Sequence, residues 1–297
     1  MEHQVHATYE IKIDDVVYLQ HASGPLLARL YLPQGSGPFP LVAEVHGGAW
    51  CRGGRLDEDG LNQSLARRGI AVAALDFRMP PHAAYPASLM DINYGVRWLK
   101  THASLLKSRP ELVSLMGTSS GGHQAILAAM RPDDPRYAAL SLPPVSADVD
   151  ASVARVVMCW PVIDPLGRYR YALELQSGGK PYPAGIDRVV PDHEKFWGNE
   201  EAMSEGSPVR ILERGDKVAT PPALCLQGDS DLMHPRAHLE RFIAAYKRTG
   251  GALVMRWFAG EAEGFITKKP DSASTAEAIE EIVRFLSAEN GEDTISL

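Results

Sequence analysis

The feature that most restricts the fold is a repeated alternation of short apolar runs with stretches of helical length. Residues 41–45, 70–77, 112–116, 153–160, 223–227 and 252–258 read as strands, and the run at 70–77 has the composition of one covered on both faces. Helices are expected over 56–68, 88–102, 124–130, 238–248 and 276–288. In the second of these, Leu89, Ile92, Val96 and Leu99 set the helical spacing. Such alternation predicts an α/β architecture, a mostly parallel central sheet with helices on both faces. Strand-like runs at 9–13, 16–19 and 26–32 precede it, and PQGSGPFP at 33–40 reads as a loop.

Residues 161–222 break this rhythm. They are irregular, rich in Gly and Pro, and carry Tyr169, Tyr171, Tyr182, Phe196 and Trp197. A long non-repeating stretch of this kind is either a lid over a binding site or a surface excursion with its own small core. The aromatics line a pocket in the first reading and fill that core in the second. The 297 residues are therefore read as one domain, 1–297, with a lid- or cap-like insertion at 161–222.

Thirty Lys and Arg against 37 Asp and Glu give a formal charge of −7, which does not favour nucleic acid as a partner. Three widely spaced cysteines (Cys51, Cys159, Cys225) form no metal-ligand pattern, and the latter two sit in apolar runs where buried thiols belong. The polar N-terminal stretch at 1–15 lacks the basic and apolar regions of a signal peptide. No apolar run approaches the roughly 18 residues that a membrane span requires. A soluble, cytoplasmic protein without a membrane partner is expected, and a homodimer is left open.

The chemistry-bearing residues fall at strand ends. Gly117-Thr118-Ser119-Ser120-Gly121 lies between an expected strand and an expected helix, the context in which G-x-S-x-G has physical meaning. The glycines permit a tight turn that holds Ser119 in a strained backbone conformation and exposes its hydroxyl. The helix beyond supplies N–H groups and a positive dipole end for an oxyanion. His46-Gly47-Gly48-Ala49-Trp50 follows an earlier strand. Its glycines let the backbone approach the serine, so that the N–H groups of Gly48 and Ala49 join that of Ser120, while His46 braces the loop. Gly228-Asp229-Ser230-Asp231 follows a later strand, where a carboxylate fits the Ser…Asp…His order of one triad type. Asp231 is the first candidate and Asp229 the second.

These motifs and their order resemble the α/β-hydrolase superfamily, in particular its esterase/lipase branch with the hormone-sensitive-lipase-like and kynurenine-formamidase-like enzymes. The similarity runs from about residue 41 to 286. It takes in HGGAW, Asp76-Phe77-Arg78, Tyr85-Pro86, Asp91, GTSSGGH and QGDSD. The resemblance implies an α/β-hydrolase fold, Ser119 as nucleophile, Asp231 as triad acid, and Gly48, Ala49 and Ser120 as oxyanion donors.

One position departs from the family pattern. Family enzymes carry a catalytic histidine after the final strand, usually as His-Gly-Phe, and this chain reads Glu263-Gly264-Phe265 there, with no histidine after His238. Four readings follow. Glu263 is itself the base, in a Ser–Glu–Asp site where it shares a proton with Asp231. A substitute histidine acts, either His234, three residues after Asp231, or His123 on the nucleophile helix, where it points along the helix and suits a structural role. The scaffold has lost hydrolysis and kept the pocket as a binding protein. Or the glutamate is an introduced change.

The first reading is the expectation taken forward. It predicts a serine hydrolase with the catalytic set Ser119, Asp231 and Glu263, and with neither metal nor cofactor. The activity expected is that of a carboxylesterase on small to medium uncharged esters, with amide or formamide cleavage as an alternative.

Overall fold

The computed structural model describes residues 8–288. Residues 1–7 of the polar N-terminal stretch and 289–297 of the expected domain lie outside the described residues. Within them the chain runs β1 (Ile11–His21), β2 (Gly24–Pro33), β3 (Leu41–Val45), α1 (Asp59–Arg67), β4 (Ala71–Leu75), α2 (Ala87–His102), β5 (Val113–Thr118) and α3 (Ser120–Met130). It continues through β6 (Val156–Cys159), α4 (Pro165–Ser177), α5 (Val189–Trp197), α6 (Glu200–Glu205) and α7 (Pro208–Arg214). It closes with β7 (Ala223–Gly228), α8 (Arg236–Arg248), β8 (Leu253–Phe258), α9 (Phe265–Lys268) and α10 (Ala273–Ser287).

The strands form one sheet in the order β1-β2-β4-β3-β5-β6-β7-β8. From β4 and β3 through to β8 every pairing is parallel, while β1–β2 and β2–β4 are antiparallel. The central strands are buried on both faces, which explains their lack of polar alternation. Side chains still divide by register. Leu41, Ala43 and Val45 of β3 join a core with Leu89, Ile92 and Val96 of α2, Ile126 of α3 and Phe242 of α8. Val42, with Val72 and Ala74 of β4, packs on the other side against Leu65 of α1 and Ile279, Ile282 and Val283 of α10. Two helical layers thus clamp the sheet and hold its strand ends rigid.

The strands expected at 9–13 and 16–19 are one element, β1, with a register shift between Val17 and Leu19. The larger difference concerns 161–222, which is mostly helical. Its prolines sit at helix starts, Pro165 and Pro208, where a missing N–H costs nothing, and its glycines Gly198 and Gly215 follow helix ends at positive φ. Residues that read as breakers are punctuation between short helices. Among the described residues no helix is long and apolar enough to cross a membrane.

Candidate active site

Parallel strands bring Ser119 (after β5), Asp231 (after β7) and Glu263 (after β8) to the same edge of the sheet. The turn from β5 to α3 is as strained as the glycine spacing implies, with Ser119 at φ 50°, ψ −116°. The flanking glycines are required sterically. A Cβ on Gly121 would stand 1.9 Å from the Val45 carbonyl oxygen, and one on Gly117 2.4 Å from the Gly121 backbone. The Ser119 N–H donates to the Cys159 carbonyl at 2.9 Å, pinning the turn to β6.

The loop after β3 runs alongside. Gly48, Ala49 and Trp50 all have positive φ, at 104°, 52° and 60°, and the Trp50 N–H donates to Ser120 Oγ at 3.2 Å. Gly48 and Ala49 line the same cavity as Ser119, and Ser120 is fully buried at the start of α3. His46 does brace this loop. Its Nδ1–H donates to the Gly47 carbonyl at 2.8 Å and its ring stacks on Phe77 at 4.2 Å, while burial pushes its pKa down.

Among the described residues, the imidazole within hydrogen-bond reach of the serine belongs to His234. Its Nε2 is 3.4 Å from Ser119 Oγ, and its Nδ1 is 2.8 Å from Asp231 Oδ2. The local sequence builds this arrangement. Asp231 Oδ1 accepts the backbone N–H groups of Met233 (2.7 Å) and His234 (3.2 Å), an Asx-type turn that curls the loop so that the ring of His234 returns onto its own aspartate. Gln227 Nε2 donates to Asp231 Oδ2 at 2.7 Å. Burial alone would raise the Asp231 pKa; the adjoining imidazole and these donors override it and hold it down to about 2. An ionised Asp231 accepts only, so Nδ1 of His234 carries the proton and Nε2 is left to accept from Ser119.

Glu263 occupies a different place from the one expected of a base hydrogen-bonded to the serine. Its carboxylate lies 3.9 Å from His234 Nε2 and its side chain is 27% exposed. The proton-sharing pair of Glu263 with Asp231 is not formed, because the ring of His234 stands between the two carboxylates, with Asp231 on Nδ1 and Glu263 on the Nε2 side. Asp229 turns away, accepting the Gly260 N–H at 2.7 Å. His123 is structural: its Nε2–H donates to the Gly206 carbonyl at 2.9 Å, its Nδ1 accepts from Trp50 Nε1 at 3.2 Å, and burial pushes its pKa down to about 4.

Ser119 opens into a cavity of about 340 Å³. The aromatics of the insertion do not line it. Phe196 and Trp197 pack with the fully buried Trp50 into a separate small core, with ring centroids 5.5 Å from it in each case. Trp50 is thus the anchor that docks α5 onto the loop after β3. The insertion instead presents Arg168, Arg188, Val189 and Asp192 to the cavity, facing Arg52, Asp57, Glu58 and Glu263. Glu58 accepts from Thr118 Oγ1 (3.1 Å) and Thr267 Oγ1 (2.5 Å), tying β5 to α9, and burial raises its pKa. Neither Arg168 nor Glu58 belongs to any of the sequence motifs, and both converge on this cavity. Cys159 and Cys225 are buried within β6 and β7, as their apolar surroundings imply.

Fold and site together define the α/β-hydrolase class. The hyperthermophilic esterase of Pyrobaculum calidifontis superposes with a TM-score of 0.74 at 22% identity, over 95% of this chain and 85% of that one. The butyrate-bound Est2 esterase of Thermogutta terrifontis superposes at 0.70 and 22% identity, over 95% and 94%. A family model described as BD-FAE matches residues 29–244, and the chain belongs to that family. Esterase LipC of Mycobacterium tuberculosis is 27% identical over 254 residues, which is 84% of this chain and 58% of LipC. Esterase LipQ of the same organism is 24% identical over 216 residues, 72% and 47% of the respective chains. The chain therefore spans about half the length of the curated relatives it matches.

Proposed function

We propose that the protein is a carboxylic ester hydrolase in which Ser119 is the nucleophile, His234 the general base and Asp231 the residue that orients it. The observation that carries this reading is the continuous relay from Ser119 Oγ to His234 Nε2 (3.4 Å) and from His234 Nδ1 to Asp231 Oδ2 (2.8 Å). It departs from the expectation of a Ser–Glu–Asp set. The chain order Ser119, Asp231, His234 is kept, with the histidine moved forward onto the aspartate's own loop. The esterases among its relatives and structural neighbours support the activity class.

In the reaction, Ser119 Oγ attacks the ester carbonyl carbon as its proton passes to His234 Nε2. Apo distances of this length tighten in the substrate complex. The carbonyl oxygen becomes an oxyanion facing the N–H groups of Gly48, Ala49 and Ser120, held rigid by the positive-φ loop and its bond to Ser120 Oγ. Collapse expels the alkoxide, which takes the proton back from His234. Water then repeats the sequence on the acyl-serine, with His234 again the proton acceptor. Asp231 faces the imidazolium formed in each half, and Glu263, on the Nε2 side, adds a second negative charge nearby. The helices at 161–222 wall the cavity as a cap. Two thiols buried in the core suit a reducing compartment such as the cytoplasm.

The test is hydrolysis of p-nitrophenyl acetate and butyrate by the wild type and Ser119→Ala, with stoichiometric labelling by a fluorophosphonate. Turnover that Ser119→Ala abolishes, and label confined to Ser119, supports the reading. Turnover that survives Ser119→Ala refutes it.

A further inference from the structure

An arginine that lines this cavity has charge to spare. Arg168 on α4 is only 4% exposed, and its Nη1 is buried with no hydrogen-bond partner. Among the described residues its one side-chain hydrogen bond is from Nε to the Met233 carbonyl at 3.0 Å, next to His234. Among the described residues it makes no ion pair. The carboxylates around it are engaged elsewhere: Asp192 with Arg52 (2.5 Å), Asp231 with His234 (2.8 Å), and Glu263 beside His234 Nε2 (3.9 Å). A guanidinium does not give up its proton in a protein, so a buried one with an orphan N–H is costly unless an anion completes it. Arg168 lines the cavity into which Ser119 opens. Arg188, exposed and likewise without an ion pair among the described residues, lines the same wall.

Building on the hydrolase reading above, we propose that Arg168 recognises a carboxylate on the substrate, so that the preferred esters are anionic rather than uncharged. A planar guanidinium anchored through Nε keeps its remaining N–H groups for a carboxylate, a charge-assisted contact with directional preference. Two kinds of ester carry such a group: a half-ester of a dicarboxylic acid, with the anion on the acyl side, and an acylated hydroxy acid, with the anion on the alcohol side. This replaces the uncharged substrate expected from sequence.

Binding to Ser119→Ala, which leaves esters intact, tests the idea by calorimetry. Monomethyl glutarate is compared with methyl valerate for the acyl side, and 4-acetoxybutanoate with butyl acetate for the alcohol side. At least one anionic ester is expected to bind about tenfold or more tighter than its neutral partner, the scale of a charged hydrogen bond, and the arm that responds identifies the side. Arg168→Gln on the same background is expected to erase that ratio and Arg168→Lys to keep part of it. Because Arg168 also holds the Met233 carbonyl, the lysine variant separates charge from loop support. Equal binding in both arms, or a preference that survives Arg168→Gln, overturns the proposal. Wild-type kinetics on the same esters separate the two readings. Anionic preference in binding with no turnover of any ester leaves the arginine site standing and refutes the hydrolase. Turnover of neutral esters with no anionic preference in binding or rate does the reverse.

Discussion

Replacing Glu263 with glutamine separates a charge beside the proposed base, His234, from the base itself. The carboxylate is 3.9 Å from His234 Nε2. Two unit charges at that distance interact by about 1 kcal/mol in water and about 4 kcal/mol at an effective dielectric of 20. A side chain 27% exposed at the mouth of a cavity belongs toward the screened end of that range. In the proposed mechanism the imidazolium forms only as the serine proton is transferred, so Glu263 would act mainly in the transition state. Glu263→Gln is then expected to lower kcat about five- to thirtyfold, with kcat/KM falling in parallel. The loss should shrink as salt is added to the wild-type reference. The assay is steady-state hydrolysis of p-nitrophenyl butyrate at two ionic strengths. A loss beyond about a thousandfold, insensitive to salt, would make Glu263 the proton acceptor and refute the geometric assignment.

Further perturbations read other parts of the structure. Gly121→Ala drives a methyl to within 1.9 Å of the Val45 carbonyl oxygen, so it should lower the free energy of unfolding, measured by urea titration, by about 3 kcal/mol or more, or prevent folding; wild-type stability would refute the packing of this turn. Glu44 is fully buried, with Oε1 unpartnered, and burial with the charge of Glu58 pushes its pKa well above the usual carboxylate range. Its protonated form is the one the fold favours, so this contribution is complete below the ordinary glutamate pKa and is lost as pH rises toward the folded-state value. Glu44→Gln should therefore gain stability relative to wild type as pH increases above about 5, measured by urea titration across pH 4–9, and a relative gain only toward acid pH would contradict it. Asp231, held down to about 2, has the opposite sign: its contribution is present above the ordinary aspartate range and fades as pH falls toward 2. Asp231→Asn should flatten that acid limb.

Much of the fold was legible because two-sided burial leaves a plain signature. The runs at 41–45 and 223–227 needed no register information to read as central strands, and they coincide with β3 and most of β7. The helices at 161–222 were hidden because Pro165, Pro208, Gly198 and Gly215 look the same as loop residues until their positions at helix ends are known. The tight turn at 117–121 and the glycine loop at 46–50 were readable because such close backbone approaches demand glycine at fixed positions. The base was not. A histidine three positions from its aspartate reaches it only if the chain curls, and that turn is made by Asp231 accepting the Met233 and His234 N–H groups, which no spacing rule encodes. Arg168 had no motif at all; it is marked by burial and an orphan N–H, both properties of the folded state.

The identity of the base is tested most directly by His234→Gln, measured beside Glu263→Gln on p-nitrophenyl butyrate, with folding checked by circular dichroism. The relay from Ser119 through His234 to Asp231 predicts that His234→Gln lowers kcat by about 10² to 10⁴, far beyond the effect of Glu263→Gln. A folded His234→Gln variant within about threefold of wild type would contradict it and return the proton to Glu263.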